Sequence, residues 1–339
     1  MTLFKRASST DVAKLAGVSQ SAVSRAFSKD KAVSQKTREK VRAAAAQLGY
    51  RPNALASSLI TKRTNMLALL TGDMANPFYA RTIKAFSLGL QKRGLHVLLF
   101  SLTAGQSVES AIEEVLKYRV DGLIMISAAL SSEVGEACAQ VGVPVVLYNR
   151  YVKQSNISSV RIENVEGARR IADLLLDTGH TSFAFVSGTE VDPTSGDRER
   201  GFSDRLAERG AALTYRVTGD YTFESGRAAI GSLWQVGARP TAVFAASDLM
   251  AFGVLDGARS DLGLKVPADL SVVGFDDLPS ASWPSYDLTT IRQPVEDMAD
   301  VAIDLLLQRI KSRNTIAKTH LMAGHLIVRG STKILPIVI

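Results

Sequence analysis

The chain has 339 residues, of which 46% are hydrophobic, and its formal net charge is +7 at neutral pH. Its single cysteine, Cys138, excludes an internal disulfide and a cysteine-ligated metal cluster. No apolar run approaches the roughly 18 residues of a membrane span, and residues 1–6 lack the apolar segment of a secretory signal. We therefore expect a cytoplasmic protein with no membrane partner.

Positive charge is concentrated at the amino-terminal end of the chain. Residues 1–63 hold 13 lysines and arginines against three acidic residues, a formal charge of +10, which leaves −3 for the rest. A basic segment of this kind matches a phosphate backbone, and its binding to nucleic acid would weaken steeply with salt. A basic solvated surface is the alternative interpretation, and the helix pattern described next argues against it.

Two short helices joined by a tight turn are predicted within this basic segment. Val12 and Leu15 have the spacing of one buried helical stripe, so both are expected to face a core. Gly17 can end the first helix in a left-handed conformation, and Ser19 is a suitable N-cap for a second helix over residues 20–27. A basic, small-polar second helix in this arrangement is typical of a helix-turn-helix that enters the DNA major groove.

A third helix and a short helical segment follow. The third helix is expected to begin at its N-cap Ser34, to end at Gly49 and to complete a small core. Residues 53–60 offer about two turns of good helix former, which are marginal without a partner because isolated short helices rarely hold in water. We therefore expect a headpiece over residues 1–51 and a hinge over residues 52–64.

The remaining chain, residues 65–339, is too long for one hydrophobic core, so two α/β lobes are expected. Short apolar runs alternate with amphipathic stretches, which is typical of βαβ units in parallel, helix-covered sheets, with an irregular stretch at residues 149–159. The predicted strands span residues 66–70, 96–100, 122–126, 143–147, 183–187, 215–218, 242–245 and 270–274, with one more around Leu326. The predicted helices span residues 78–92, 108–118, 132–141, 165–177, 198–209, 225–236, 249–262 and 294–311.

Two such sheets imply a cleft, and ligands of open α/β sheets collect beyond the carboxyl ends of the strands. The residues at those places are amides, carboxylates, an arginine and aromatic rings, a mixture that suits a small polyhydroxylated ligand. The candidate ligand-binding residues near the strand ends are Asn76, Phe78, Asn149, Arg198, Tyr221, Ser247 and Asp276, and a further candidate, Gln293, lies on a crossing between the lobes. A purely structural alternative stays open, in which Asn76 begins a helix and Asp248 and Asp277 cap helices or turns.

The run Asp-Val-Ala…Ala-Gly-Val-Ser…Val-Ser-Arg (residues 11–25) and Leu-Gly-Tyr-Arg-Pro-Asn (residues 48–53) resemble the lactose-repressor (LacI/GalR) family of bacterial transcription regulators. The resemblance extends over nearly the whole chain and implies a helix-turn-helix head, a hinge helix and two lobes of the periplasmic-binding-protein type. By this resemblance the DNA-binding residues are Ser19, Gln20, Ser21, Ser24, Arg25, Ser34 and Thr37 in the head and Asn53, Ala56 and Leu59 in the hinge.

The side chains at these positions suit DNA. Gln20 can pair with adenine and Arg25 with guanine, and Leu59 matches the leucine that the family wedges into the central base step of the operator. Ala22 and Ser247 depart from the threonine and asparagine that the family usually has. The change at Ala22 does not threaten the fold but leaves the operator sequence open, and the change at Ser247 leaves the ligand open.

The resemblance also implies lobe boundaries and an oligomeric state. The chain should cross between lobes near residues 150–162, 285–293 and 318–323, which gives a first lobe of about 65–161 and 292–320 and a second lobe of about 162–291 and 321–332. A homodimer is expected, because one recognition helix reads too few bases for operator specificity. Its surface is expected on the first lobe, near residues 74–90 and 95–102. No leucine heptads of a tetramerisation helix occur near the carboxyl terminus.

The expected function is an allosteric transcriptional regulator, a repressor that binds double-stranded operator DNA and is controlled by a small sugar-like effector. Two alternatives stay open: a sugar-binding transport protein, which should carry a signal peptide, and an enzyme of sugar metabolism with Asp192, Asp197 or Asp276 as its base. No cofactor, metal or catalytic residue is expected. The chain lacks GxGxxG, GxxxxGK[ST] and GxSxG sequences, and His320 and His325 would point to opposite faces of an extended segment.

Overall fold

A computed structural model describes residues 7–27, 33–51, 63–72, 74–102, 107–126, 142–151, 157–190, 192–312 and 316–333. The chain divides into two compact units, residues 1–64 and residues 65–339. Several features named above lie outside the described residues: Asn53, Ala56, Leu59, Cys138 and the predicted helix over residues 132–141.

The first unit contains three helices: α1 (Ser9–Ala16), α2 (Gln20–Phe27) and α3 (Gln35–Gln47). Gly17 adopts the left-handed conformation that ends α1, with φ of 65°. The Ser19 hydroxyl accepts a hydrogen bond from the Ala22 amide at 3.2 Å, and the Ser34 hydroxyl accepts one from the Thr37 amide at 3.2 Å. Each predicted capping residue therefore begins or ends its helix as expected.

The core of this unit is small and aliphatic, built around Val12, Val23 and Val41. The prediction that Leu15 faces it is wrong, because 47% of the Leu15 side chain is exposed. A helix turns about 100° per residue. The buried residues of α1 are Val12 and Ala13, so the inward direction lies between them. Leu15 lies on the far side of Val12 from Ala13 and therefore points away from the core.

The second unit begins with a six-stranded parallel sheet in the order β11-β5-β4-β3-β1-β2, which we call the first lobe together with its helices. Its strands are β1 (Met66–Thr71), β2 (His96–Ser101), β3 (Gly122–Met125), β4 (Val145–Tyr148), β5 (Ser158–Ile162) and β11 (Thr319–Met322). Its helices are α4 (Pro77–Lys92), α5 (Val108–Lys117) and α10 (Val295–Lys311). The central strands β3 and β4 are apolar and buried throughout, as a sheet covered on both faces requires.

The second lobe contains a four-stranded parallel sheet in the order β7-β6-β8-β9. Its strands are β6 (Phe183–Ser187), β7 (Leu213–Thr218), β8 (Ala242–Ala245) and β9 (Ser271–Val273). Its helices are α6 (Asn164–Asp177), α7 (Pro193–Glu208), α8 (Phe223–Gln235) and α9 (Asp248–Asp256), the last continued by a π-helical turn over Gly257–Asp261. Two parallel α/β lobes confirm the predicted fold class.

The chain passes between the lobes next to a small antiparallel pair, β10 (Thr290–Arg292) with β12 (His325–Ile327). It leaves the first sheet at the end of β5, returns through β10 into α10, and leaves again after β11. The structure differs from the prediction here, because β5 lies partly within the stretch expected to be irregular and β11 extends the first sheet to Met322. Both strands are short, and β11 lies at the sheet edge, so their sequences carry little of the apolar signal of a buried strand.

Candidate functional site

The outward face of α2 carries the side chains predicted to read DNA. Val23 and Ala26 point into the core, which turns the opposite face of the helix to solvent. Exposed on that face and at its amino end are Ser19, Gln20, Ser21, Ser24 and Arg25. A polar, basic and unburied helix face has the chemistry that base edges and phosphates require.

Hydrogen bonds among exposed groups order this face. The Ser19 and Ser21 hydroxyls lie 2.9 Å apart, and Gln20 Nε2 donates to the Ser9 hydroxyl at 2.9 Å. Arg25 Nε donates to the carbonyl oxygen of Ser21 at 3.3 Å, and all of these groups are exposed. Bonds between exposed groups cost little to exchange, so DNA can replace them. At the start of α3, the Ser34 and Thr37 hydroxyls lie 2.8 Å apart.

A second candidate site lies between the two lobes, in a cavity whose volume is about 400 Å³ including the part open to solvent. The lining residues are Asn76, Phe78, Tyr79, Ile126, Asn149 and Arg150 from the first lobe and Asp192, Thr194, Arg198, Tyr221 and Asp276 from the second. Most follow the carboxyl end of a strand, as expected for an open α/β sheet. The structure thus brings six of the eight predicted ligand-binding residues to one cavity.

Two asparagines form part of the first-lobe wall. The Asn76 side chain accepts a hydrogen bond from the Phe78 amide at 2.9 Å and caps α4. Asn76 also lines the cavity, so it begins the helix and forms part of the site. Asn149 follows β4 with φ of 55°, and its buried Oδ1 has no hydrogen-bond partner among the described residues. A buried amide oxygen of this kind is costly unless a ligand or water supplies a donor.

Arg198 is the central cation of the second-lobe wall. It is buried in the second turn of α7, and not at the first residue of the helix as predicted, because Pro193 begins that helix five residues earlier than expected. Its guanidinium stacks on the Phe275 ring at 3.7 Å and donates to Asn164 at 2.8 Å and to the Ala246 carbonyl. Burial lowers its pKa, and the Asp276 carboxylate, 3.8 Å away, opposes that effect.

Asp276 faces Arg198 from the end of β9. Gln293 Nε2 donates to its Oδ1 at 2.6 Å. Burial raises the pKa of Asp276 to about 6, while the Arg198 charge works in the opposite direction. Behind it, burial and the neighbouring Asp276 charge raise the pKa of Asp248 to about 8. The Arg198–Asp276 ion pair is thus buried, and at 3.8 Å the two side chains are too far apart to be hydrogen-bonded to each other.

Asp192 joins the two walls. Its Oδ1 accepts a hydrogen bond from the Thr194 amide at 2.9 Å and so caps α7. The same carboxylate forms an ion pair with Arg150 of the first lobe and accepts the Tyr221 hydroxyl of the second. The Tyr221 ring lies over Gly188, where a Cβ atom would come within 2.2 Å of the ring. Any side chain at position 188 would therefore displace the Tyr221 ring from the cavity wall.

Two predicted ligand-binding residues lie behind the cavity wall. Ser247 is buried and caps α9, its hydroxyl accepting a hydrogen bond from the Met250 amide at 3.4 Å. Gln293 is fully buried and does not line the cavity, but it orients Asp276 through the hydrogen bond described above. Gln293 therefore acts on the cavity through Asp276, whereas Ser247 caps α9.

The two remaining acids have structural partners, although Asp277 binds arginine and does not cap a helix or turn as the structural alternative expects. Asp248 accepts hydrogen bonds from the Leu278 amide at 2.7 Å and from the Thr290 hydroxyl at 2.6 Å. Asp277 forms an ion pair with Arg292 at 2.6 Å. Neither lines the cavity.

Sequence reasoning did not select Tyr79, Ile126, Arg150 or Thr194 for the site, and considered Asp192 only as a base. Tyr79 and Arg150 both follow predicted strands, where the sequence analysis expects a ligand, although neither is among the eight candidates. Thr194 required knowledge that α7 begins at Pro193.

A helix-turn-helix unit and a bilobed α/β unit with a polar cleft define the class of DNA-binding regulators that carry a ligand-binding domain. Residues 10–53 match the family model of bacterial regulatory proteins of the lacI family, and residues 172–332 match that of the periplasmic binding protein-like domain. The chain is 34% identical to catabolite control protein A of Priestia megaterium over 328 residues, 95% of this chain and 98% of that protein. It therefore belongs to the lacI family of bacterial regulatory proteins.

Other similarities agree with this assignment. The chain is 31% identical over 329 residues to the HTH-type transcriptional repressor CytR of Escherichia coli (strain K12), covering 96% of each. The structure resembles that of the lac repressor dimer bound to operator and the anti-inducer ONPF, with a TM-score of 0.88, 29% identity, and 97% and 99% of the two chains covered. The protein is thus a DNA-binding transcriptional regulator and not an enzyme. Among the described residues, no helix is long and apolar enough to cross a membrane.

Proposed function

We propose that the protein is a cytoplasmic homodimeric repressor that binds an inverted-repeat operator and is controlled by a sugar or sugar derivative in the cleft. The observation that carries the effector proposal is the incomplete ion pair of Arg198 and Asp276. The Arg198 guanidinium, a fork of donors, and the Asp276 carboxylate, an acceptor, lie 3.8 Å apart. Adjacent hydroxyls of a sugar can therefore form hydrogen bonds with both groups. The aromatic rings of Phe78 and Tyr221 can cover an apolar sugar face.

Similarity supports a carbohydrate effector. The chain resembles the structure of the CelR–cellobiose complex, with 32% identity, a TM-score of 0.71, and 96% and 100% of the two chains covered. In the proposed mechanism the effector changes the angle between the lobes, which changes the pairing of two hinge helices on the operator. This is a coupling between two sites, and the lobe arrangement that the effector prefers decides whether it weakens or strengthens DNA binding.

The DNA-binding half of the proposal is tested by selecting genomic DNA fragments with the purified protein at near-physiological salt, where non-specific binding is weak. A two-fold symmetric motif is expected, and genes beside the best sites nominate the effector. An enriched motif without symmetry would contradict the dimeric operator. If no motif is enriched, the selection is repeated with cell metabolites, and continued absence would overturn sequence-specific binding.

The effector half is tested at Arg198. The variants Arg198→Ala and Arg198→Lys both remove the stacked guanidinium fork, and the second keeps the charge. We expect both to lose the effector response of a reporter gene while operator binding by the folded protein stays unchanged. Arg227→Ala, which breaks an exposed ion pair on the outer side of α8, is the control and should respond normally. A fully responsive Arg198→Ala variant would place the effector elsewhere.

A further inference from the structure

The charges that line the cleft are balanced in two pairs. Arg198 faces Asp276 within the second lobe, and Arg150 of the first lobe pairs with Asp192 of the second. The two arginines lie close enough for Arg150 to lower the pKa of Arg198, in addition to the larger effect of burial. Without Asp192, the cavity would therefore hold two neighbouring cations against one carboxylate.

The hydrogen bonds of Asp192 show how it acts. Its carboxylate already accepts hydrogen bonds from the Thr194 amide and the Tyr221 hydroxyl and forms an ion pair with Arg150. A carboxylate with these three donors has little capacity left for a ligand hydroxyl. Its contribution to the cavity is a negative charge beside Arg150, in a place where its own side chain is only 4% exposed and poorly screened by salt.

We propose that Asp192 sets the charge selectivity of the cleft: by neutralising Arg150, it reserves the cavity for an uncharged ligand and excludes anions such as sugar phosphates and sugar acids. The inference rests on the proposed effector site and names the chemical class of its ligand. Arg150 keeps its hydrogen bond to the Thr194 hydroxyl at 3.0 Å, so it remains in the wall while its charge is compensated.

Asp197 provides a matched control on the same helix. Like the α7 cap Asp192, it is a buried carboxylate that binds first-lobe groups, accepting from the Tyr151 hydroxyl at 3.2 Å and from Arg161 at 3.3 Å. It does not line the cavity. Asp197→Asn therefore removes a charge between the lobes without changing the charge of the cavity wall.

The probe is inorganic phosphate, titrated calorimetrically into the full-length protein at low ionic strength. Asp192→Asn is expected to bind phosphate in the cleft at least about tenfold more tightly than the unsubstituted protein, because a neighbouring compensating charge has been removed. Asp197→Asn should match the unsubstituted protein, and phosphate bound by the basic head is common to all variants. Adding Arg150→Gln to Asp192→Asn should abolish the gain.

The proposal is overturned if Asp192→Asn gains no affinity, if Asp197→Asn gains as much, or if the gain survives removal of Arg150. Asp192→Ser, which keeps a helix-capping oxygen, must give the same gain and serves as the second variant should the first fold poorly. The titration uses neither operator nor sugar. Failure of the proposed function, seen as the absence of an operator motif or of a sugar response, is therefore a separate result.

Discussion

Two buried carboxyl groups, Asp248 and Asp276, follow the neighbouring strands β8 and β9. Burial raises their pKa values to about 8 and about 6, and at Asp276 the charge of Arg198 opposes this effect. Below about pH 4 these groups are protonated in the folded and the unfolded chain alike. As the pH rises to about 8 the unfolded chain loses these protons first, so their contribution to the free energy of unfolding falls progressively.

Asp248→Asn should remove most of this pH-dependent loss in the free energy of unfolding. The asparagine oxygen can accept from the Leu278 amide, and its amide can donate to the Thr290 hydroxyl. We compare the free energy of unfolding of the variant with that of the unsubstituted protein at each pH. This difference should rise in favour of the variant by more than about 1 kcal/mol from pH 5 to pH 8, since one unit of pKa shift is worth about 1.4 kcal/mol. Urea unfolding of both proteins at both pH values measures this difference. Groups that both proteins share, such as His180, contribute equally to both free energies of unfolding and cancel.

Asp256, at the opposite end of α9, is half-exposed and supplies the control. Asp256→Asn should change stability by nearly the same amount at both pH values. A pH-independent effect of Asp248→Asn would mean that Asp248 is ionised in the folded protein throughout this range.

At the scale of elements, α8 and α9 cross with their backbones in contact. A Cβ atom on Gly226 of α8 would lie 2.0 Å from the Met250 carbonyl oxygen, and one on Gly253 of α9 would lie 2.0 Å from that of Phe223. Because the obstructing atoms are backbone, neither helix can yield without separating from the other. The glycines therefore set how closely these two helices pack in the second lobe.

Gly226→Ala should lower the free energy of unfolding by about 3 kcal/mol, because the added methyl group overpacks the helix contact. Gly231→Ala is the control on the same helix, where a Cβ atom meets nothing within 4 Å. It should stabilise the protein by about 0.5–1 kcal/mol, since alanine favours helix over glycine. Urea unfolding measures both, and equal effects would contradict the close crossing.

The hinge supplies the second prediction at this scale. Leu59→Ala should reduce operator affinity by more than about tenfold while non-specific, salt-sensitive binding remains, because the family resemblance assigns to Leu59 the apolar wedge that kinks DNA. Ile60→Ala is the neighbouring control and should keep discrimination between operator and random DNA. Competition binding between operator and random DNA measures this discrimination. If Leu59→Ala kept the operator affinity of the unsubstituted protein, the hinge assignment would be wrong.

At the scale of the whole molecule, the predicted dimer segments carry exposed apolar side chains. Leu88 on α4 is 48% exposed and Leu99 on the edge strand β2 is 38% exposed. Leu88→Glu should weaken dimerisation by about 100-fold, because a buried unpaired carboxylate costs several kcal/mol at an interface. Sedimentation should then show monomers at concentrations where the unsubstituted protein is a dimer.

Val236 supplies the control, since it is 80% exposed and lies at the carboxyl end of α8, away from the predicted segments. Val236→Glu should leave the dimer and operator binding unchanged. A dimeric Leu88→Glu variant with full operator affinity would move the interface to another surface.

Local signals in the sequence determined much of this molecule. Gly17, Ser19 and Ser34 mark helix ends because capping depends on a few consecutive residues, and the apolar runs of the central strands predict a covered parallel sheet because burial on both faces requires them. The concentration of positive charge in residues 1–63 indicates DNA binding, and the polar residues that follow the strands indicate a polar cleft. These signals are local because each depends on residue types and spacing within one segment.

Tertiary structure decided which side chains meet. The outward position of Leu15, the place of Ser247 and Gln293 behind the cavity wall, and the pairing of Arg150 with Asp192 depend on how elements far apart in the chain are packed. A sequence pattern carries the period and direction of one element, whereas contact between lobes depends on the angles and distances at which several elements pack. For that reason the composition of the cleft could be predicted, and the pairing of its charges could only be seen in the folded chain.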